Sequence, residues 1–237
     1  MKKVKLSNQE VKGTSDWLPA EFSVRHYIFE TWRRVCSSYG FQEYLTPLVE
    51  SAEIYRVKSG EDVGGKELVI FTDLGGRELC IRPEMTPSVT RLVSKIYASS
   101  PKPIKLFSIA NFMRNEKPQR GRNREFWQLN CDIFGSASLA ADLEILQLSL
   151  DIMKAFGAPE NSFTLRLNSR RLLDNFLPIF GLDLKNKSIV FRILDKYGKL
   201  SQDEFIRRLV AVGAKEQSAK SLEAFMAGTE KNLFLKA

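Results

Sequence analysis

The chain is poor in the residues that build metal centres and covalent staples. Its three cysteines, Cys36, Cys80 and Cys131, lie far apart with no CxxC pair, which disfavours a disulfide framework and a zinc knuckle and fits a reducing cytoplasm. The single histidine, His26, excludes any multi-histidine metal site. It sits mid-helix between Arg25 and Tyr27 with no Ser or Cys nucleophile motif nearby, and reads as an ordinary helix-surface residue. No apolar run approaches the roughly 20 residues that a membrane-spanning helix needs. The basic start, residues 1–5, is followed by Ser7-Asn8-Gln9-Glu10 where a signal peptide needs an apolar stretch, so secretion is not expected. Neither GxGxxG nor GxxxxGK[ST] occurs, which argues against Rossmann and P-loop sites. Any nucleotide would then lie on a sheet and be held by side chains.

What is present is a soluble globular composition, 43% hydrophobic and 27% charged over 237 residues, enough for one large domain or a domain with an appendage. The net charge of +8 points only weakly to an anionic partner; its distribution says more. Residues 114–124 hold five Lys or Arg against Glu116 alone, at a Pro-Gly tip between two apolar-flanked arms. Cations crowded at a turn repel one another, an arrangement that makes sense if polyphosphate or nucleic acid neutralises them. Residues 181–237 spread eleven basic and seven acidic side chains along helical patterns and read as a solvated face.

Along the chain, Ile28, Trp32, Val35, Cys36 and Tyr39 recur at helical spacing over residues 19–39, with Gly40 as the stop. A short strand over 41–45 follows. Residues 67–72 and 77–82 flank Asp73-Leu74-Gly75-Gly76 and predict a hairpin. Thr86 or Ser88 is positioned to cap a helix running to about residue 97. Pro101 and Pro103 precede a strand over 104–116, and the return strand covers 124–134. A helix is expected over 138–156, a strand over 163–167 and a helix over 169–180. Short helices over 189–194, 205–212 and 219–226 would form an appended unit. Hairpins with helices clustered between them predict an antiparallel α+β domain over residues 1–180, with a helical appendage at 181–237.

On the basic hairpin, Arg114 and Glu116 are two apart on the predicted strand and share a face, with Arg122 and Phe126 on the facing arm. An arginine for a phosphate, a carboxylate for an exocyclic amine and a ring to stack on a base together suit a nucleotide. Gln128 and Asp132 again share a face and suit a second, smaller ligand. Plainer readings exist for each. Arg114 and Glu116 can form a cross-strand ion pair, Glu84 a helix-start carboxylate, and Asp132 a buried partner of an arginine; one of Phe126 and Trp127 should be core.

The hairpin resembles motif 2 of class II aminoacyl-tRNA synthetases, and Lys117-Pro118-Gln119-Arg120-Gly121-Arg122-Asn123-Arg124-Glu125-Phe126 resembles its histidyl-tRNA synthetase version. Gly13-Thr14-Ser15-Asp16-Trp17-Leu18-Pro19 resembles that family's opening segment. Tyr39-Gly40-Phe41 through Pro47-Leu48-Val49-Glu50 resembles motif 1, which forms the dimer interface. Arg82-Pro83-Glu84-Met85-Thr86-Pro87-Ser88 resembles the segment that binds the substrate's amino end. The four segments run in order across about residues 10–175. The resemblance implies a cytoplasmic, homodimeric ligase that joins histidine to tRNA through histidyl-adenylate. Arg114 would bind the ATP α-phosphate, Glu116 the adenine amine, Arg122 the γ-phosphate and Phe126 the adenine ring, with Arg114 and Arg122 the catalytic pair. Glu84, Thr86 and Gln128 would hold the α-ammonium. Asp132, where many members have Glu, would accept from the imidazole. Gln119, Arg120 and Arg124 would meet the tRNA acceptor end, and Pro47 would lie at the dimer interface. Mg2+ would come with ATP rather than on a dedicated protein site.

The family's Arg-Gly-Leu-Asp-Tyr-Tyr-like run, motif 3 and anticodon-binding domain have no counterpart in the sequence, and residues 181–237 resemble the start of its helical insertion. The expectation is a fragment, inactive or nearly so alone. Two other classes fit in part. One is the synthetase-like regulatory subunit of ATP phosphoribosyltransferase, which tends to lose the basic hairpin pattern kept here; the other is a nonenzymatic RNA-binding module using only the hairpin.

Overall fold

Proline sets where the first long element begins. Pro19 occupies the first turn of α1 (Pro19–Ser38), where its missing N–H costs nothing, and Gly40 at φ +76° ends the helix beyond Tyr39. The computed structural model describes residues 8–58, 67–165, 167, 174–175, 177–178, 180 and 187–228. The chain divides into two compact units, residues 1–164 and 165–237.

The first unit holds two three-stranded sheets. One has β1 (Gln42–Glu43) beside β5 (Ile104–Met113), and β5 beside β6 (Glu125–Phe134). The other places β4 (Glu78–Ile81) between β2 (Val49–Ser51) and β3 (Val69–Thr72), antiparallel throughout. Helices α2 (Ala52–Lys58), α3 (Thr86–Ile96) and α4 (Leu139–Ala155) complete it.

Strand alternation divides the larger sheet into two faces. Phe107, Ile109, Trp127, Leu129, Cys131 and Ile133 pack on Val35 and Cys36 of α1 and Leu148 of α4. On the opposite face Ile104, Leu106, Ala110 and Phe112 pack on Met85, Val89 and Val93 at α3. Each buried Phe, Leu, Ile or Val of this set contributes about 1.5–3 kcal/mol. The smaller sheet and α2 enclose Ala52, Tyr55, Leu68 and Cys80.

Arg82 joins the two sheets. Its amide donates to the Leu48 carbonyl (3.0 Å) and its carbonyl accepts from the Met113 amide (3.1 Å). The guanidinium, with the residue only 3% exposed, donates from Nε to the Asn111 carbonyl (3.0 Å) and from Nη1 to the Thr46 carbonyl (2.7 Å). Nη2 reaches Asn111 Oδ1 (3.3 Å), and the group lies 5.3 Å from the Phe112 ring. Burial draws its pKa below the ordinary guanidinium value.

The second unit has its own core, in which Leu177, Phe180, Val190, Phe191, Phe205, Leu209 and Leu222 meet. It contains α5 (Lys187–Leu194), α6 (Gln202–Ala211) and α7 (Glu216–Met226). Ser201 caps α6 by accepting from the Glu204 amide (3.3 Å). The nearly buried Glu223 carboxylate accepts from Tyr197 Oη (3.1 Å) and Gln202 Nε2 (2.7 Å).

The α+β class and the sequence of helices and hairpins match the expectation, and several boundaries do not. The strand expected over 104–116 stops at Met113: the Arg114 amide still donates to the Arg124 carbonyl (2.9 Å), but the Asn115 amide turns to the Glu67 carbonyl (2.7 Å). Neither Thr86 nor Ser88 caps α3. Met85 occupies the N-cap with no side-chain bond, Pro87 stands in the first turn, and the Ser88 hydroxyl is engaged with Tyr55 Oη (2.8 Å). The strand over 41–45 shortens to β1, which pairs with β5 in parallel, so this sheet is mixed. Residues 163–165 and 167 belong to no strand. The helix expected over 169–180 lies mostly outside the described residues. Among the described residues no helix is long and apolar enough to cross a membrane.

Replacing Arg82 by Met would strip the Thr46 and Asn111 carbonyls of their buried donor. The expected loss is about 3 kcal/mol in urea unfolding, from a charged hydrogen bond and the acceptors left dry.

Candidate functional site

The face of β5 and β6 that carries α3 changes character along its length. Ser108 stands opposite Asn130, Ala110 opposite Gln128 and Leu106 opposite Asp132. Tyr44, one residue past β1, donates its amide to the Phe107 carbonyl (2.9 Å), continuing the parallel register and setting it beside Ser108. Tyr44, Ser108 and Asn130 thus form a row across three chain segments, with Gln128 and Asp132 flanking it along β6. The Tyr44 hydroxyl, Ser108 Oγ, Gln128 Oε1, Asn130 Oδ1 and Asp132 Oδ2 are all buried without a hydrogen-bond partner.

An unmet buried polar atom costs about 1–3 kcal/mol, so five on one face is a large concentration of unfavourable energy unless a ligand meets them. Burial pushes the Asp132 carboxyl above the usual range. Among the described residues no cation pairs with it, so it is not an arginine's structural partner. Burial likewise raises the Tyr44 phenol; the adjoining Ser108 hydroxyl partly offsets the rise, and the nearby Asp132 carboxylate adds to it.

Beyond this row lies the root of the basic hairpin. Phe126 faces Phe112 (5.8 Å between ring centres), and the Arg114 guanidinium sits 5.0 Å from the Phe126 ring while Nε donates to the Pro83 carbonyl (3.2 Å). Trp127 takes the other face, 5.0 Å from Phe29 in the core, so Phe126 is the ring on the site's side. Glu116 pairs with Arg122 (3.4 Å), not with Arg114, and its side chain is only 14% exposed.

Arg124 folds back, donating from Nε to the Glu116 carbonyl (3.1 Å) and from Nη2 to Asn115 Oδ1 (3.4 Å). The tip is a turn closed by two backbone bonds between Gln119 and Arg122 (3.0 and 2.9 Å), with Gly121 at φ +77° and Gln119 and Arg120 exposed.

The opening segment explains itself at the same root. The Gly13 carbonyl accepts from the amides of Arg124 (2.8 Å) and Glu125 (3.0 Å). A Cβ on Gly13, which sits at φ +91°, would lie 2.9 Å from Cγ of both Arg124 and Pro118. Four residues on, the Trp17 ring carries the Arg25 guanidinium at 3.5 Å.

Glu84 is half-buried and Thr86 exposed at the start of α3. Tyr55 Oη donates to the Glu84 carbonyl (3.3 Å) and shares a hydrogen bond with Ser88, which holds this turn from beneath. Pro47 is exposed among the exposed apolar residues Leu45, Leu48 and Val49.

The structure therefore brings Arg114 to Phe126 and Glu116 to Arg122, and sets Gln128 and Asp132 on one face of β6, on either side of Asn130. It places Arg114 and Glu116 beyond the strand end, where alternation no longer decides their facing. Sequence reasoning missed Tyr44, Ser108, Asn130 and Tyr55. Asn130 was within reach, since it lies midway between Gln128 and Asp132 at the same period of two. Tyr44 needed the parallel register.

Two outcomes follow. Asp132→Asn should be more stable than the parent at pH 7–8, because it removes the cost of a buried charge; the folded pKa is raised, so this advantage should vanish as pH falls below about 4, where the carboxyl is neutral in both states. Parallel urea titrations across pH would show it. Gly13→Ala should cost about 1–3 kcal/mol by the same measurement, through its positive φ and the contact at the hairpin root.

A model described as histidyl-tRNA synthetase matches residues 13–236 of this chain. The histidine–tRNA ligase of Leptospira biflexa is 45% identical over 236 residues, 98% of this chain and 54% of that protein. A crystal structure of histidyl-tRNA synthetase from Nostoc sp. superposes with a TM-score of 0.78 at 20% identity, covering 93% of this chain and 49% of that one. An ATP phosphoribosyltransferase regulatory subunit/histidyl-tRNA synthetase from Bacillus halodurans superposes at 0.77 with 19% identity, over 95% and 57%. At such identities the two structures speak for the fold. The chain spans about half the length of the curated relatives it matches.

Proposed function

The chain belongs to the histidyl-tRNA synthetase family, and on that premise we propose that its mixed sheet is a wall of a site that activates histidine with ATP for transfer to tRNA. The observation that carries the reading is the buried polar row leading from Asp132 to Gln128 and on to the Phe126–Arg114 pair. Phe126 offers its ring to adenine, and Glu116 offers a carboxylate to the exocyclic amine. Arg114 takes the α-phosphate and Arg122 the γ-phosphate; its link to Glu116 is long, at 3.4 Å, and is easily exchanged for phosphate. Gln128, Glu84 and Thr86 receive the α-ammonium, and Asp132 accepts from the imidazole.

The histidine carboxylate oxygen then attacks the α-phosphorus in line, the bond to the bridging oxygen breaks, and pyrophosphate leaves with its charge. Fixed cations contribute by stabilising that charge and by holding the reactants in line. Mg2+, when bound with ATP, neutralises the pyrophosphate; among the described residues no three His, Cys, Asp or Glu side chains gather into a site for it. A terminal ribose hydroxyl of tRNA displaces AMP in the second step, with Gln119 and Arg120 at the exposed tip and Arg124 behind them facing the acceptor end. Pro47 and its exposed apolar neighbours suit a homodimer contact, and the setting is cytoplasmic. The regulatory-subunit reading is less well supported, because Arg114, Glu116, Arg122 and Phe126 are all retained.

Calorimetry on residues 1–237 should show ATP and histidine binding, with Arg114→Ala weakening ATP about 10–100-fold, as loss of a charge-assisted contact implies. Binding of RNA alone, falling steeply with salt and indifferent to ATP and histidine, would refute the assignment. Residues 1–237 by themselves are expected to give little histidine-dependent pyrophosphate exchange.

A further inference from the structure

The connection from β4 to α3, residues 82–85, carries load for both halves of the proposed site. Its Pro83 carbonyl accepts from Arg114 Nε (3.2 Å), and Glu84 and Thr86 beside it are the residues assigned above to the α-ammonium. Upstream it is fastened by the two backbone bonds of Arg82, to Leu48 and Met113. Downstream the fastening is weaker, because Met85 starts α3 with no side-chain cap.

Tyr55 of α2 supplies a hold at that point. It is fully buried in the cluster of Ala52, Leu68 and Cys80, where phenylalanine would fill the same space with no hydroxyl to desolvate. A phenol has one proton and a carbonyl can only accept, so the proton goes to the Glu84 carbonyl (3.3 Å) and the buried Ser88 hydroxyl donates to the phenol oxygen (2.8 Å). Burial pushes the phenol up, with Ser88 opposing in part, so Tyr55 stays protonated and donating. Its hydroxyl therefore ties α2 to the backbone from which the Glu84 side chain projects.

We propose, on the histidine reading above, that Tyr55 is a positioning residue of the amino-acid site: its hydroxyl fixes the Glu84 backbone and so sets Glu84 and Thr86 for the α-ammonium. Tyr55 touches no substrate, and its effect is confined to ligands that carry the ammonium.

Calorimetry on residues 1–237 would compare histidine with 3-(imidazol-4-yl)propanoate, which lacks only the ammonium. The parent should bind histidine about 10-fold or more tightly than the propanoate. Tyr55→Phe keeps the ring and deletes the hydroxyl; it should weaken histidine about 5-fold or more and leave the propanoate within about 2-fold. Ser88 stands four residues after Glu84 and can back-bond to that carbonyl, a route that Tyr55→Phe/Ser88→Ala closes. The double variant also removes the hydroxyl that the single variant leaves dry, which favours the fold, and it should lose the same preference. Equal weakening of both ligands would show a purely structural role and overturn the proposal. A double variant that keeps the parent's preference would overturn it too, with the site reading intact. A parent that binds ATP but does not distinguish the two ligands would remove the α-ammonium assignment and the role of Tyr55 with it. Where Tyr55→Phe is too unstable to titrate, the preference of the double variant decides.

Discussion

Ten consecutive residue pairs lock β5 to β6, from Ile104 opposite Phe134 to Met113 opposite Glu125, and a slip of one residue would send every side chain of β6 to the other face. In the observed register Trp127, Leu129, Cys131 and Ile133 go to the helices α1 and α4. Gln128, Asn130 and Asp132 go to the other side. The apolar set favours this register by several kilocalories per mole; the polar set gains nothing from it within the protein. Burial of the one thus forces burial of the other. The candidate site is a consequence of how the core is paired, and it inherits the stiffness of a long antiparallel ladder.

Charge is handled in a corresponding way. The cations around the hairpin are met mostly by neutral oxygens: Arg114 by the Pro83 carbonyl, Arg124 by the Glu116 carbonyl, Arg82 by the carbonyls of Asn111 and Thr46. A carbonyl satisfies a donor without cancelling its charge. Among the described residues only Glu116 supplies a countercharge at the tip, through its pair with Arg122. The segment therefore keeps a positive field, which a network of carboxylate pairs would not do.

Much of this was legible beforehand, for local reasons. Proline at a helix start, glycine past its end and the Asp73–Gly76 turn act over a few residues, and they located α1 and the small hairpin. Gln128 and Asp132 were legible because alternation needs only one strand. The end of β5 at Met113 was not, since it depends on the Asn115 amide finding Glu67, far off in sequence. Nor was the Tyr44–Ser108–Asn130 row, which requires the register of three segments at once, one of them parallel. The cap of α3 failed for a related reason: the Ser88 hydroxyl had a better partner in Tyr55, 33 residues upstream.

The polar row costs the fold stability. Ser108 stands in the buried run of β5 between Phe107 and Ile109, where an alanine would fill the space at less cost than an unmet hydroxyl. Tyr44 would pack equally well as phenylalanine, and Asn130 as leucine opposite a small residue. Three independent departures from the cheaper residue on one row are not explained by packing. They are explained if a polar ligand recovers the cost when it binds, because free energy withheld from folding then reappears as affinity and as discrimination against rings that cannot make the same bonds.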